Sequence, residues 1–462
     1  MSVEFNVYKY ENVLAAHVKG VLPTGSTKNF HLCLLIDKSS SMEGTRMNEV
    51  KNTLNELIRI LKDDDKISLI TYSTDAEVLI NSLKAGENRD SMTTTVSNIV
   101  ASGMTNLESA LMKISTLTNL PDAIFILTDG NVNAGTMSSM GLQSIAHTVI
   151  HESVPLGTVG YGSDHNQVLL RDLAIQSRGT YTYADSDEMI PAIVGDICAG
   201  LWTEVGRNAK INIPPSFEVC EIGTDSTEHF KFGTIIDDKS QWIVFKGTEA
   251  YAIPTHLTLT YMSNEGDART IMSGITYYDD PSYGVIVNEQ SNRADVAISL
   301  FEATTLVKSG SIDIARTKLN ELIARLDASI SNNRPMVISL KAQVLDMISS
   351  LPIAASYYGG AGARAGGPSL AATVSRLAST TAYVGNQRGV MSISEDPSTA
   401  AGGAGAGAGA VYVSGHATAR ASSSVSWFSS PAQVNRSISL VTSTHRHSHE
   451  MDEDNSDASP ST

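Results

Sequence analysis

Asp37, Ser39 and Ser41 stand at two-residue spacing in 31-HLCLLIDKSSSMEGTRM-47, directly after an apolar run. Two other stretches share that character. One is 102-SGMTNLESAL-111, a glycine-containing loop with Thr105, where Asn106 can cap the helix that follows. The other is 124-IFILTDGNVN-133, where Asp129 follows a second apolar run. Carboxylates and hydroxyls are hard oxygen ligands. Two carboxylates and three hydroxyls meeting at one place suit a small hard cation, Mg²⁺ or Mn²⁺, which binds few carboxylates and keeps room for water or an outside ligand. The hydroxyls add oxygen without charge. Such an ion therefore keeps positive character and can take an acidic side chain from a protein partner.

For the three loops to meet, the elements before them must end on one side. NFHLCLLI, KISLITYS, DAIFILT and VPLGTVG are short and apolar, as buried strands are. Between them lie helical patterns. Met47, Val50, Leu54, Leu57, Ile58 and Leu61 recur at spacings of three or four, and two more helices are predicted at about 106–118 and 166–178. Strands alternating with amphipathic helices predict a doubly wound α/β unit over about 29–202, with a parallel sheet covered on both faces. In such a sheet ligands sit beyond the carboxyl ends of the strands. Asp37, Thr105 and Asp129 all belong to loops that such ends would carry.

Elsewhere the period changes. From about 207 to 290, AKINI, SFEVCEI, HFKFGTII, QWIVFK, HLTLTYMS and TIMSGITYY alternate at period two between turn-rich pieces, which predicts an antiparallel β-sandwich. VEFNVYKY and VLAAHVKGV, within residues 1–28, are expected to join it, with the α/β unit inserted between. A helical region is predicted for 292–381. Val296, Leu300, Ala303 and Val307 form one stripe, Gly310 breaks it, and Ile312, Ala315, Leu319, Leu322 and Leu326 form the next. Pro335 suits the first turn of a third helix at 335–350, and a weaker helix is predicted near 368–381. Residues 395–462 begin with AAGGAGAGAGA and turn polar, a composition expected to stay disordered.

DKSSS at 37–41, GMTN at 103–106 and TDG at 128–130, in that order, resemble the metal-ion-dependent adhesion site of von Willebrand factor type A domains. The resemblance covers about 29–202, and VGYGSDHNQVLLRDLAIQSRGTYTYADSDEMIPAIVGDICAGL is similar to the last strands and helix of that domain. It implies that Asp37, Ser39, Ser41, Thr105 and Asp129 hold the ion. The chain is most similar to an intracellular subgroup in which a sandwich-like and a helical segment follow. Some relatives there carry a RING ubiquitin-ligase module, which the three scattered cysteines Cys33, Cys198 and Cys220 do not form.

Each residue has a blander reading. Asp37 with Ser39 is by itself equally a helix N-cap, and Asp129 before Gly130 is a common turn pair. Thr105 and Asn106 can be plain turn and cap residues. Asn131 and Asn133 either rim the site or are ordinary loop polarity. The run 63-DDD-65 reads as a solvated loop, and His445, His447 and His449 as an exposed tract. The expected role is a protein-binding module or adaptor and not an enzyme. No histidine stands at a recognised spacing from Ser39 or Ser41, and neither a G-x-S-x-G elbow nor a Walker loop occurs. The alternatives are an assembly component of a larger particle or a non-catalytic subunit of a ligase-type complex. With 462 residues there is room for two or three domains. A net charge of −16 argues against nucleic acid as partner. The absence of a long apolar run argues against membrane insertion, and no signal peptide is read at the N-terminus, so an intracellular, cytoplasmic location is expected.

Overall fold

The computed structural model describes residues 1–351, apart from 24, 130–131, 162–164, 185–189, 223–225, 249–251 and 278–280. The expected helix at 368–381, the tail at 395–462 and the three tail histidines lie outside the described residues.

The chain opens with β1 (Ser2–Tyr10) and β2 (Val13–Val21), paired as a hairpin. It then enters the α/β unit with β3 (His31–Asp37), in which every residue is buried. The elements that follow are α1 (Thr45–Ile60), β4 (Lys66–Tyr72), β5 (Ala76–Lys84), α2 (Ala85–Ser97), α3 (Leu107–Ile114) and β6 (Ala123–Thr128). α4 (Ser139–Val149), β7 (Leu156–Tyr161), α5 (Gln167–Gln176), β8 (Arg178–Ala184) and α6 (Ile190–Trp202) complete it. The six strands lie in the order β5-β4-β3-β6-β7-β8, and all pairs are parallel except the edge pair β4/β5.

A strand buried on both faces must be apolar at odd and even positions alike. Leu32, Leu34 and Ile36 of β3 pack with Val50, Leu54 and Leu57 of α1 and with Val194 and Cys198 of α6. Cys33 and Leu35 point the other way, onto Leu107, Ala110 and Leu111 of α3 and Leu142 of α4. β3 has β4 on one side and β6 on the other, so the winding reverses between β3 and β6. The crevice at their carboxyl ends is where a ligand fits in this class of sheet.

The run 63-DDD-65 corrects the sequence reading. Asp63 and Asp64 pair at the surface with Arg89 and Lys84, but Asp65 is fully buried. Its carboxylate accepts hydrogen bonds from Phe30 N (3.1 Å), Lys62 N (2.8 Å) and Trp202 Nε1 (2.8 Å).

After α6 come β9 (Glu204–Asn212), β10 (Phe217–Val219), β11 (His229–Ile236), β12 (Ser240–Gly247), β13 (His256–Ser263) and β14 (Ala268–Tyr277). With β1 and β2 they form one sheet in the order β10-β12-β2-β1-β14-β13-β9-β11, antiparallel throughout except β1/β14. The α/β unit thus lies in the chain between two strands of this sheet. The sheet curls until it nearly closes, and its two halves share one core of Phe5, Leu14, Val18, Ile211, Phe230, Ile243 and Leu257. Gly20 permits the closure. It bridges to Asp237, and a Cβ there would stand 2.7 Å from Ile236 O.

His17 of β2 is buried and stacks on Trp242 of β12, with ring centroids 4.5 Å apart. Burial, with help from the nearby Lys19 charge, lowers its pKa from the usual 6.5 to about 4. As pH falls, the unfolded chain takes this proton first. The stability that neutral His17 confers is therefore full above 6.5 and is lost between 6.5 and about 4, by about 3 kcal/mol at most. His17→Phe, which keeps the stack, is expected to lose correspondingly less stability between pH 7 and pH 4.5 in urea titrations. An equal loss in both proteins would assign the acid sensitivity to other groups.

The helical segment comprises α7 (Pro281–Lys308), α8 (Ile312–Ala328) and α9 (Pro335–Ser350), packed through Leu300, Leu319, Leu322, Leu340 and their neighbours. Gly310 sits in the α7–α8 turn and Pro335 in the first turn of α9. The strands end at Tyr277, short of 290, and the helices begin at Pro281, ahead of 292. Periodicity missed the start of α7 because Glu289, Gln290, Asn292 and Arg293 are buried there, so no apolar stripe marks it.

Candidate metal centre

β3 delivers Asp37 to the carboxyl edge of the sheet, where it is completely buried. One carboxylate oxygen accepts from Ser39 N (2.8 Å), the other from Thr128 Oγ1 at the end of β6 (2.6 Å). Ser39 is extended and leads into a single 3₁₀ turn, Ser40–Met42, which brings Ser41 back toward it. The Ser39 and Ser41 hydroxyls are hydrogen-bonded at 3.1 Å, and Ser41 Oγ donates to Asp129 Oδ1 at 2.9 Å. Asp37, Ser39, Ser41 and Asp129 are therefore joined in one run of contacts across the β3/β6 crevice.

Thr105 enters through its backbone. Ser40 N donates to Gly103 O (3.1 Å) and Ser102 N to Lys38 O (2.7 Å), which clamps the threonine loop to the serine turn. Gly103 adopts φ +87°, and a Cβ there would stand 2.9 Å from Thr74 Oγ1, so the tight approach needs glycine. Asn133 holds the loop from the other side: its Oδ1 accepts from Thr105 N (2.8 Å) and its N donates to Thr105 O (3.1 Å). Asn106 caps α3 by accepting from Ser109 N (3.2 Å). Thr105, Ser39 and Asp129 are all buried. Asn131 lies outside the described residues.

Burial raises the pKa of Asp37 most, and the neighbouring Asp129 charge adds to this. The hydrogen bonds from Thr128 and Ser39 oppose it. Two carboxylates held together out of water make a place that favours a cation. No group of three or more His, Cys, Asp or Glu suited to a metal lies among the described residues. The oxygen set here has only two carboxylates, with hydroxyls for the rest, and that composition still fits a hard divalent ion.

Three residues beyond the predicted five shape the site. Thr128 braces Asp37. Asn133, which the sequence left between rim and plain loop polarity, braces Thr105. Arg46, in the first turn of α1, donates through Nη1 to Asp129 Oδ2. Thr128 was legible as part of TDG. Nothing in residue type or spacing marks Arg46, whose partner is 83 residues away.

The family model described as von Willebrand factor type A domain matches residues 31–195, and the α/β unit has that kind of fold. Bovine inter-alpha-trypsin inhibitor heavy chain H3 (Bos taurus) is 27% identical over 220 residues, covering 44% of this chain and 24% of that protein. The uncharacterized protein YfbK of Escherichia coli (strain K12) is 25% identical over 191 residues, covering 40% of this chain and 33% of its own length. The chain thus spans a third or less of these curated relatives. Among solved structures, a von Willebrand factor type A protein from Catenulispora acidiphila superposes with a TM-score of 0.57 at 14% identity. It covers 82% of this chain and 96% of that one, so the likeness of fold extends past the α/β unit. These matches give no support to the intracellular ubiquitin-ligase-like subgroup that the sequence resemblance pointed to. No helix of the described residues is long and apolar enough to cross a membrane.

Proposed function

We propose that this chain is a non-catalytic, divalent-cation-dependent protein-binding module. The observation that carries the reading is the continuous run Asp37–Ser39–Ser41–Asp129 at the β3/β6 crevice, with the Thr105 loop clamped against it. Asp37, Ser39, Ser41, Thr105 and Asp129 would hold Mg²⁺ or Mn²⁺, directly or through water. A bound ion supplies a positive centre there that a partner's acidic side chain can complete. The chain's own residues do the positioning. Thr128 fixes the Asp37 carboxylate, Ser41 orients Asp129, and Asn133 fixes the Thr105 backbone. Hydrolysis is disfavoured because both carboxylates are engaged: Asp37 accepts from Ser39 N and Thr128 Oγ1, and Asp129 from Ser41 Oγ and Arg46 Nη1. The three cysteines are free and buried, which suits a reducing, intracellular location.

Calorimetric titration with Mn²⁺ tests the reading, together with affinity capture in the presence and absence of EDTA. Asp37→Ala is expected to weaken ion binding by more than the roughly 10–100-fold that loss of an outer-shell partner brings, and to release the partner. Thr105→Ala should weaken capture while leaving the fold intact, because its loop is held by backbone hydrogen bonds. Measurable and equal ion binding by wild type and Asp37→Ala would refute the site.

A further inference from the structure

Asp129 divides its two carboxylate oxygens between different groups. Oδ1 accepts from the Ser41 hydroxyl at 2.9 Å, on the side of Ser39 and Asp37. Oδ2 accepts from the Arg46 guanidinium, which also reaches Ser41 O at 3.4 Å. The Asp129 side chain has 0% of its surface exposed, whereas Arg46 has 33%. A guanidinium keeps its charge at any ordinary pH, and its bond to a carboxylate is of the strong, charge-assisted kind. The two partners differ in what they can give up. Asp129 follows directly on β6 and has no route to water. Arg46 is a long side chain near the amino end of a surface helix, and it can turn outward and be hydrated without disturbing α1.

We infer that Arg46 is the built-in counter-ion of Asp129, which a divalent cation must displace to be held between Asp37 and Asp129, so that Arg46 sets the cation affinity of the site. This rests on the metal-binding reading given above. Two effects act in the same direction. The incoming ion must break a charge-assisted hydrogen bond, and it must approach a positive charge already at the site. Without an ion, the same guanidinium offsets one of the two buried carboxylates and so supports the fold. Because Arg46 makes only a single contact through Nη1 to the Asp129 side chain, a lysine can reproduce its charge without needing the guanidinium fork.

The experiment compares full-length wild type, Arg46→Gln and Arg46→Lys by calorimetric titration with MnCl₂. Thermal unfolding is followed in EDTA and again in saturating MnCl₂. Arg46→Gln should bind Mn²⁺ about tenfold tighter than wild type. It should melt below wild type in EDTA and draw level with it in saturating Mn²⁺, while Arg46→Lys stays close to wild type in both assays. If wild type shows no binding and Arg46→Gln gains it, the counter-ion role is upheld in its strongest form. If both bind Mn²⁺ equally, or the glutamine variant binds more weakly, the counter-ion role is overturned and the metal site stands. If neither binds, both fall together.

Discussion

Asp65→Ala is expected to lower the free energy of unfolding by about 3–5 kcal/mol, one of the two largest losses foreseen for a single substitution here. The buried carboxylate takes hydrogen bonds from three separate elements. Phe30 N leads into β3, Lys62 N ends the α1 turn, and Trp202 Nε1 ends α6. Bonds to a charged acceptor are worth more than neutral ones, and truncation leaves buried donors without it. The Trp202 ring also packs at 5.5 Å on Phe30, so a shift of the indole would open the core on that side. Asp65→Asn keeps the shape and one acceptor oxygen but turns an amide donor toward N–H groups, so an intermediate loss is expected. Urea unfolding followed by circular dichroism measures both. Asp65 precedes β4 at its amino end, whereas Asp37 and Asp129 stand at the carboxyl edge of the sheet. Mn²⁺ affinity at 25 °C should therefore be unchanged in the folded variant. A loss under 1 kcal/mol would show that the three donors find other acceptors.

The same residue marks where sequence reasoning succeeds and where it stops. β3 was legible because a strand buried on both faces must be apolar throughout, and the hydroxyls and carboxylate that follow it stand out against that run. Asp129 stood out for the same reason after β6, whereas the Thr105 loop, between α2 and α3, was read from its glycine and the capping Asn106. α2 was not, because only Ala85, Met92 and Val96 of it are buried and the rest reads as polar loop. Asp65 was misread because three consecutive aspartates indicate solvent by type. Its burial is decided by Phe30 and Trp202, far away in sequence. Period-two alternation showed which faces the strands of the β-rich region bury, but not which edges pair. That the strands form one nearly closed sheet depends on contacts such as Gly20 with Asp237. Arg46 and Asn133 belong to the same category: what they do is set by which loops the winding of the sheet brings together.

Glu221→Ala is expected to cost about 3–5 kcal/mol, by stranding a charge in the interior. Glu221 and Arg293 form an ion pair with side chains 1% and 0% exposed. Arg293 Nη1 donates to Glu221 Oε2 at 3.3 Å and Nη2 to Oε1, while Nε donates to Gln290 Oε1 at 3.2 Å. Glu221 Oε1 also accepts from Val244 N of β12 at 3.3 Å. The pair thus fastens α7 to the β-rich sheet. Removing the carboxylate leaves a guanidinium that keeps its charge with no anion beside it. The pair taken as a whole is a different matter, since burying both ions cost much of what their attraction returns. The double variant Glu221→Leu with Arg293→Met should therefore be markedly more stable than Glu221→Ala, and within about 2 kcal/mol of wild type. Guanidinium chloride unfolding of wild type, Glu221→Leu, Arg293→Met and the double variant gives the coupling energy of the pair. A Glu221→Ala loss below 1 kcal/mol would mean that the other contacts hold α7, among them the Lys246–Asp295 ion pair and Val287 and Ala294 against Val13, Ala15 and Val244. In either case the α/β unit keeps its own cores, so the proposed ion binding at Asp37 and Asp129 should survive the loosening of the helices.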